Sequence, residues 1–261
     1  MRIALGIEYE GSGYSGFQRQ KSLCTIQGEL EKALSVIADA PVELQCAGRT
    51  DQGVNATGQV VHFDVEKERS DRSWQLGTNR YLPDNISVVW AKHVTQDFHA
   101  RFSARARRYR YIIQNSAARP GILTQGVSVY QGDYDIELMQ KATGCLIGEH
   151  NFSSFRASDD ESKSSMRCVH FCRISRAGQY IIFDIAANAF LMHMVRNIVG
   201  SLLTVGSKKG SVEWFYEVFN AHDRSLASPT AKPHGLYLVD VTYPSEFNLP
   251  QRKSLGPLWL P

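Results

Sequence analysis

The chain has 261 residues, 43% of them apolar and 21% charged, and a formal net charge of +3. No apolar run approaches the roughly 18 residues a membrane span needs, and "MRIALGIEYEGSGY" lacks the pattern of a signal peptide. Five cysteines do not read as a disulfide framework, so a reduced, cytoplasmic setting is expected for a chain long enough for one large or two smaller domains.

In chain order, residues 2–9 (RIALGIEY) read as a strand and "EGSGYSGFQRQ" as a glycine-rich loop. From Thr25, apolar Ile26, Leu30, Ala33, Leu34 and Ile37 mark one face of a helix that Pro41 ends. "VELQCA" is a short strand. The loop within "AGRTDQGVNATGQVVHF" follows, then the strand "QVVHFDV", with Val61, Phe63 and Val65 on one side. "SWQLGTNRYL" predicts a short helix stopped by "PDN", and "ISVVWAKHV" a strand. The order is β-α-β-β-α-β.

The second half repeats that order. "RRYRYIIQ" is a strand and "DIELMQKATGCLIG" a helix. "MRCVHFCRIS" and "QYIIFDIAA" form a pair joined at "RAG". "AFLMHMVRNIVGSLLTVG" and "SVEWFYEVFNA" are helices, and "GLYLVDVTY" is a closing strand. The fold class expected is α+β, with two ferredoxin-like βαββαβ halves built on antiparallel sheets. Residues 1–102 form the first half, 103–243 the second, and 244–261 a proline-rich tail without regular structure. A groove between two such halves is a natural ligand site.

Several stretches invite a chemical reading. Gly48 and Gly53 bracket "RTDQ", placing Arg49 two residues from Asp51. A nearby guanidinium favours the ionised form of a carboxylate, which can then act as nucleophile or base. A turn-forming Asp in a structural ion pair fits the same residues. On the helix after Phe190, Leu191, Val195, Ile198, Leu202 and Val205 form the apolar face, with His193, Arg196 and Asn197 elsewhere; a buried Arg196 needs a partner, and Asp51 is one candidate. Arginines outnumber lysines nineteen to ten, and five fall in "RFSARARRYR", interleaved with Tyr109. That is a footprint of nucleic-acid binding, and equally of a charge-protected sheet edge. "CVHFC" puts Cys168, His170 and Cys172 on one strand face, but no fourth zinc ligand is evident, and no metal site is expected. No G-x-S-x-G, H-E-x-x-H or G-x-G-x-x-G pattern gives cofactor chemistry a foothold.

With those residues assembled, the sequence resembles the tRNA pseudouridine synthase A (TruA) family over nearly its whole length. "YEGSGYSGFQRQ" is similar to the family's N-terminal loop and "GRTDQGVNATGQVVHF" to its active-site signature. "FHARFSARARRYRY", "GEHNFSSFRASD", "NAFLMHMVRNIVG" and "SPTAKPHGLYLVDVTYP" follow in the family's order. The resemblance implies a cofactor-independent isomerase that converts uridines 38, 39 and 40 of the tRNA anticodon stem-loop to pseudouridine. It also implies a homodimer with a basic cleft between the halves. The family's nucleophilic Asp falls on Asp51, its stacking Tyr on Tyr109, the Arg beside the Asp on Arg49, and the helix Arg that pairs with the Asp on Arg196. Arg19 and Arg107 are the expected contacts to the RNA backbone. The chain departs from the family at Asn55, usually His, at Phe17, usually Trp, and at Met192, often Tyr.

The implied reaction needs an extruded uridine, because a stacked one hides its sugar. The alternatives are a pseudouridine synthase for other RNA uridines and a non-catalytic RNA-binding protein; the second lacks the expected K/R-G-F/Y aromatic signature.

Overall fold

The computed structural model describes residues 1–118 and 120–250. The described residues divide into two compact units, residues 1–106 with 237–250, and residues 107–236.

The first unit begins with β1 (Arg2–Tyr9), α1 (Ile26–Ala38), β2 (Leu44–Cys46), β3 (Asn55–Asp64), α2 (Asp71–Asn79) and β4 (Ile86–Val94). β1 pairs antiparallel with both β3 and β4, and β2 pairs antiparallel with β3. The strand order β4-β1-β3-β2 is that of a ferredoxin-like sheet. The helices start where the sequence supplies caps: the Thr25 hydroxyl accepts from Gly28 N at 3.2 Å, and the Ser70 hydroxyl from Ser73 N at 3.2 Å. α1 packs on α2, and α2 on β4. Trp74 from α2 is fully buried, edge-on to Phe63 of β3 at 5.3 Å. Val61 and Phe63 lie in the core, as the alternation predicts.

On the same strand, His62 contacts His99, their ring centroids 4.5 Å apart, and its Nδ1 accepts from Ala100 N at 3.2 Å. Burial first, then the neighbouring His99 and Arg2, push its pKa down to about 4.

The second unit holds β5 (Ala106–Asn115), β6 (Ser128–Tyr130), α3 (Ile136–Ala142), β7 (Gly148–Asn151), β8 (Met166–Ala177), β9 (Tyr180–Ala187), α4 (Met194–Gly206) and α5 (Val212–Ala221). β5, β9, β8 and β7 form an antiparallel sheet in that order, and β6 runs parallel to β5. α3 packs on α4, α5 and β8. The predicted helix 189–206 starts only at Met194, because His193 takes a left-handed conformation (φ 59°). The predicted helix over "DIELMQKATGCLIG" is likewise shorter, passing into a 3-10 turn at Thr143–Leu146.

The closing strand β10 (Leu236–Thr242) groups with the first unit from Tyr237 onward and pairs parallel with β3, Tyr237 opposite Asn55 and Leu238 opposite Ala56. Glycine at position 58 makes that approach possible, since a Cβ there would lie 2.1 Å from Val239 O. Of the tail, Ser245–Phe247 forms a 3-10 turn whose Phe247 packs on Phe98 at 5.1 Å; residues 251–261 of the expected irregular tail lie outside the described residues.

Candidate active site

The loop from Ala47 to Val54 joins β2 to β3 and is fastened at several points. Ala47 N donates to Val60 O at 2.8 Å, and the fully buried Gln59 donates through Nε2 to Gly48 O at 2.7 Å. The buried Thr50 hydroxyl bonds to the Tyr9 hydroxyl at 2.7 Å. Val54 N donates to Asp51 O at 3.2 Å, closing a tight turn that Gly53 completes at φ 77°. Asp51 sits half-buried in that turn.

A second loop presses on the first. Phe17 is fully buried, and its N–H donates to Thr50 O at 3.0 Å. Gly16 adopts φ +90°, and a Cβ there would lie 3.0 Å from Thr50 O. A Cβ on Gly11 would lie 2.1 Å from Val54 O. Gly11 N instead donates to Oδ1 of Asn55 at 2.8 Å. Asn55, itself buried, is also hydrogen-bonded to the Tyr237 phenol, whose pKa burial raises. Gly11 and Gly16 therefore let two backbones meet around Asp51.

Arg49 is exposed, and its guanidinium forms no ion pair among the described residues. The local Arg49–Asp51 pair that the spacing allowed is not formed: the intervening Thr50 turns inward, and its neighbour Arg49 faces water. Arg19 is held by Glu31 at 2.9 Å and Glu43 at 3.2 Å, both from this unit.

In the second unit, β5 sorts the "ARRYRY" run by face. Arg108 makes a two-pronged contact with Asp184 of β9, Nε and Nη2 each 2.7 Å from a carboxylate oxygen, and Arg110 Nε joins it at 2.8 Å. Two of the arginines read as an RNA footprint thus meet a carboxylate of their own unit, a fork-on-carboxylate geometry that holds a sheet together. Arg107 donates to Asn188 O at 3.0 Å. Tyr109 projects the other way, edge-on to Phe190 with ring centroids 5.0 Å apart. Tyr111 below it is fixed by Ser128 and by Lys232 O.

Arg196 occupies the first turn of α4, and its Nε donates to Ala231 O at 2.9 Å. Asn197, placed off the apolar face by the sequence reading, is fully buried. It donates to Phe155 O at 2.9 Å and accepts from Thr230 at 2.7 Å and Arg224 at 3.2 Å. A Cβ on Gly200 would lie 2.1 Å from Pro229 O, so the "SPTAKPHG" segment lies directly on α4. Asn55, Asp184 and Asn197 are the residues whose roles the sequence concealed. For Asn55 a signal existed, the departure from the family's usual His.

The sequence model of the tRNA pseudouridine synthase family matches residues 6–103 and 142–244, which takes in the Asp51 loop and α4. The chain belongs to the tRNA pseudouridine synthase family. Among its relatives is "tRNA pseudouridine synthase A" of Shewanella amazonensis, 59% identical over 100% of both chains. The protein of that name from Aeromonas hydrophila is 60% identical over 100% of this chain and 97% of its own. With family membership in place, the clamped Asp51 turn and the Tyr109–Phe190 pair are the features of these two units on which a reading of the chemistry rests. Among the described residues, no helix is long and apolar enough to cross a membrane.

Proposed function

We infer that this chain isomerises uridine to pseudouridine in tRNA, at positions 38, 39 and 40 of the anticodon stem-loop, as a homodimer in the cytoplasm. The observation that supports the reading best is the Asp51 turn. It is a short carboxylate on a loop fastened on both sides by backbone bonds and glycine contacts, the pre-organisation an attacking group requires.

The reaction breaks the bond from N1 to C1′ and forms one from C5 to C1′. N1 gains a proton and C5 loses one. Asp51 acts on the sugar of an extruded uridine, as a nucleophile at C1′ or as a base that removes the C2′ proton. Tyr109, held edge-on by Phe190, stacks on the extruded base, a contact worth about 1–3 kcal/mol. Arg196 serves as counter-ion to the carboxylate. Arg49, exposed and without an ion pair among the described residues, takes the phosphate beside the vacated position. Arg107 and Arg19 contact the backbone, Arg19 only by exchanging Glu31 and Glu43 for phosphate. No cofactor enters.

The test is tRNA tritiated at C5 of uracil, followed by mapping of the modified positions. Tritium release with new pseudouridine at 38–40 is expected. Release with pseudouridine elsewhere would move the chain to another RNA uridine, and binding without release would make it a non-catalytic binder. Light scattering checks the dimer.

A further inference from the structure

Between α1 and α2 of the first unit runs an open groove of about 480 Å³. Its apolar wall is unusually wet: Val36 is 54% exposed, Leu76 48% and Tyr81 56%. Arg69, Arg72 and Arg80 supply its charge, and no carboxylate lines it. All three arginines are exposed, and none has an ion pair or side-chain hydrogen bond among the described residues. Of the acids close by in sequence, Asp71 is taken by His93 at 2.6 Å, while Glu66, Glu68 and Asp84 are exposed and lie outside the groove lining.

Two of the arginines also stand where a helix disfavours them. Arg69 precedes the N-cap Ser70, and Arg72 lies in the first turn of α2, the positive end of the helix dipole. Their charge adds to that end and does nothing for the helix. Three arginines without an ion pair among the described residues, lining a groove whose wall carries no carboxylate, form a site for a polyanion.

We propose that this groove docks the phosphate backbone of tRNA, with Tyr81 against a sugar or base at its rim. None of its lining residues belongs to the Asp51 loop or to the loop that holds it. The RNA seated there is therefore a part of the tRNA other than the nucleotide being isomerised. The proposal rests on tRNA being the substrate.

The experiment compares wild type with a triple variant, Arg69→Gln, Arg72→Gln and Arg80→Gln, after circular dichroism and thermal unfolding show both folded. Affinity is measured for full-length tRNA and for an isolated anticodon stem-loop across a salt series, alongside tritium release at saturating tRNA. For full-length tRNA the variant should lose at least about tenfold in affinity, and its salt slope should fall by about 2–3, near 0.9 per lost phosphate contact. Stem-loop affinity and saturated turnover should not change. An unchanged tRNA affinity and slope, as a protein-binding groove would give, overturns the proposal. So does an equal loss on the stem-loop, which would place the groove at the reacting arm. Tritium release by wild type separates the two readings: without it the substrate assignment itself fails, and with it only the groove is at stake.

Discussion

Gly11 N donates to Oδ1 of Asn55 at 2.8 Å, and through this bond the N-terminal loop is tied to the first residue of β3, four residues past Asp51. The bond is buried, so losing it strands a backbone donor. Asn55→Ala should destabilise the protein by about 1–3 kcal/mol and lower kcat more than it raises KM, because the Asp51 turn loses a brace. Urea unfolding and steady-state tritium release measure the two effects. An unchanged kcat would remove Asn55 from any positioning role.

The glycines of the same loop give a controlled comparison. A Cβ at position 11 meets Val54 O at 2.1 Å, whereas nothing lies within 4 Å of a Cβ at position 13. Gly11→Ala should cost more than about 2 kcal/mol and depress activity, because backbone must shift next to Asp51. Gly13→Ala should be near neutral. Equal melting temperatures for the two variants would contradict the close approach.

Asp51→Asn keeps the shape of the side chain and removes its charge. Isomerisation should fall below detection while tRNA affinity stays within about threefold, since backbone contacts dominate binding. Retained turnover would require another nucleophile.

Tyr109 is read as a stacking face. Tyr109→Phe keeps the ring and its edge-on contact with Phe190, and Tyr109→Ala loses both. The Ala variant should lose about 1–3 kcal/mol of transition-state stabilisation in kcat/KM, the Phe variant much less. Equal losses would shift the role to the hydroxyl.

His62 supplies a pH signature. Its folded pKa of about 4 lies below the unfolded value near 6.5, so between those limits the unfolded chain binds more protons. Stability is therefore full above about pH 6.5, falls as pH drops through the window, and levels off near pH 4. The loss is about 3 kcal/mol at most. Denaturant midpoints at pH 7 and 4.5, for wild type and His62→Gln, isolate it: the variant should show a shallower decline.

The 3.6-residue spacing from Ile26 to Ile37 and the alternation through Val61 and Phe63 were legible because each buries one face, and burial writes itself into periodicity. The helix entry at His193 was hidden, because apolar Phe190 and Leu191 extend the pattern into a loop whose backbone turns left-handed. Asp51 stood out among glycines, but the partner of those glycines did not: Gly11 and Gly16 act on a loop some forty residues away, and no local spacing encodes that. The arginines of β5 left two readings open, and their partner was hidden: Asp184, the carboxylate that takes Arg108 and Arg110, lies on another strand.

The pairing of Tyr237 with Asn55 also sets an order of events during synthesis. The strand that lies along the entrance to β3 is synthesised long after it, so the turn carrying Asp51 is not fully braced until that strand has emerged. A nascent or truncated polypeptide ending before residue 236 would leave the backbone of Asn55 and Ala56 without that partner.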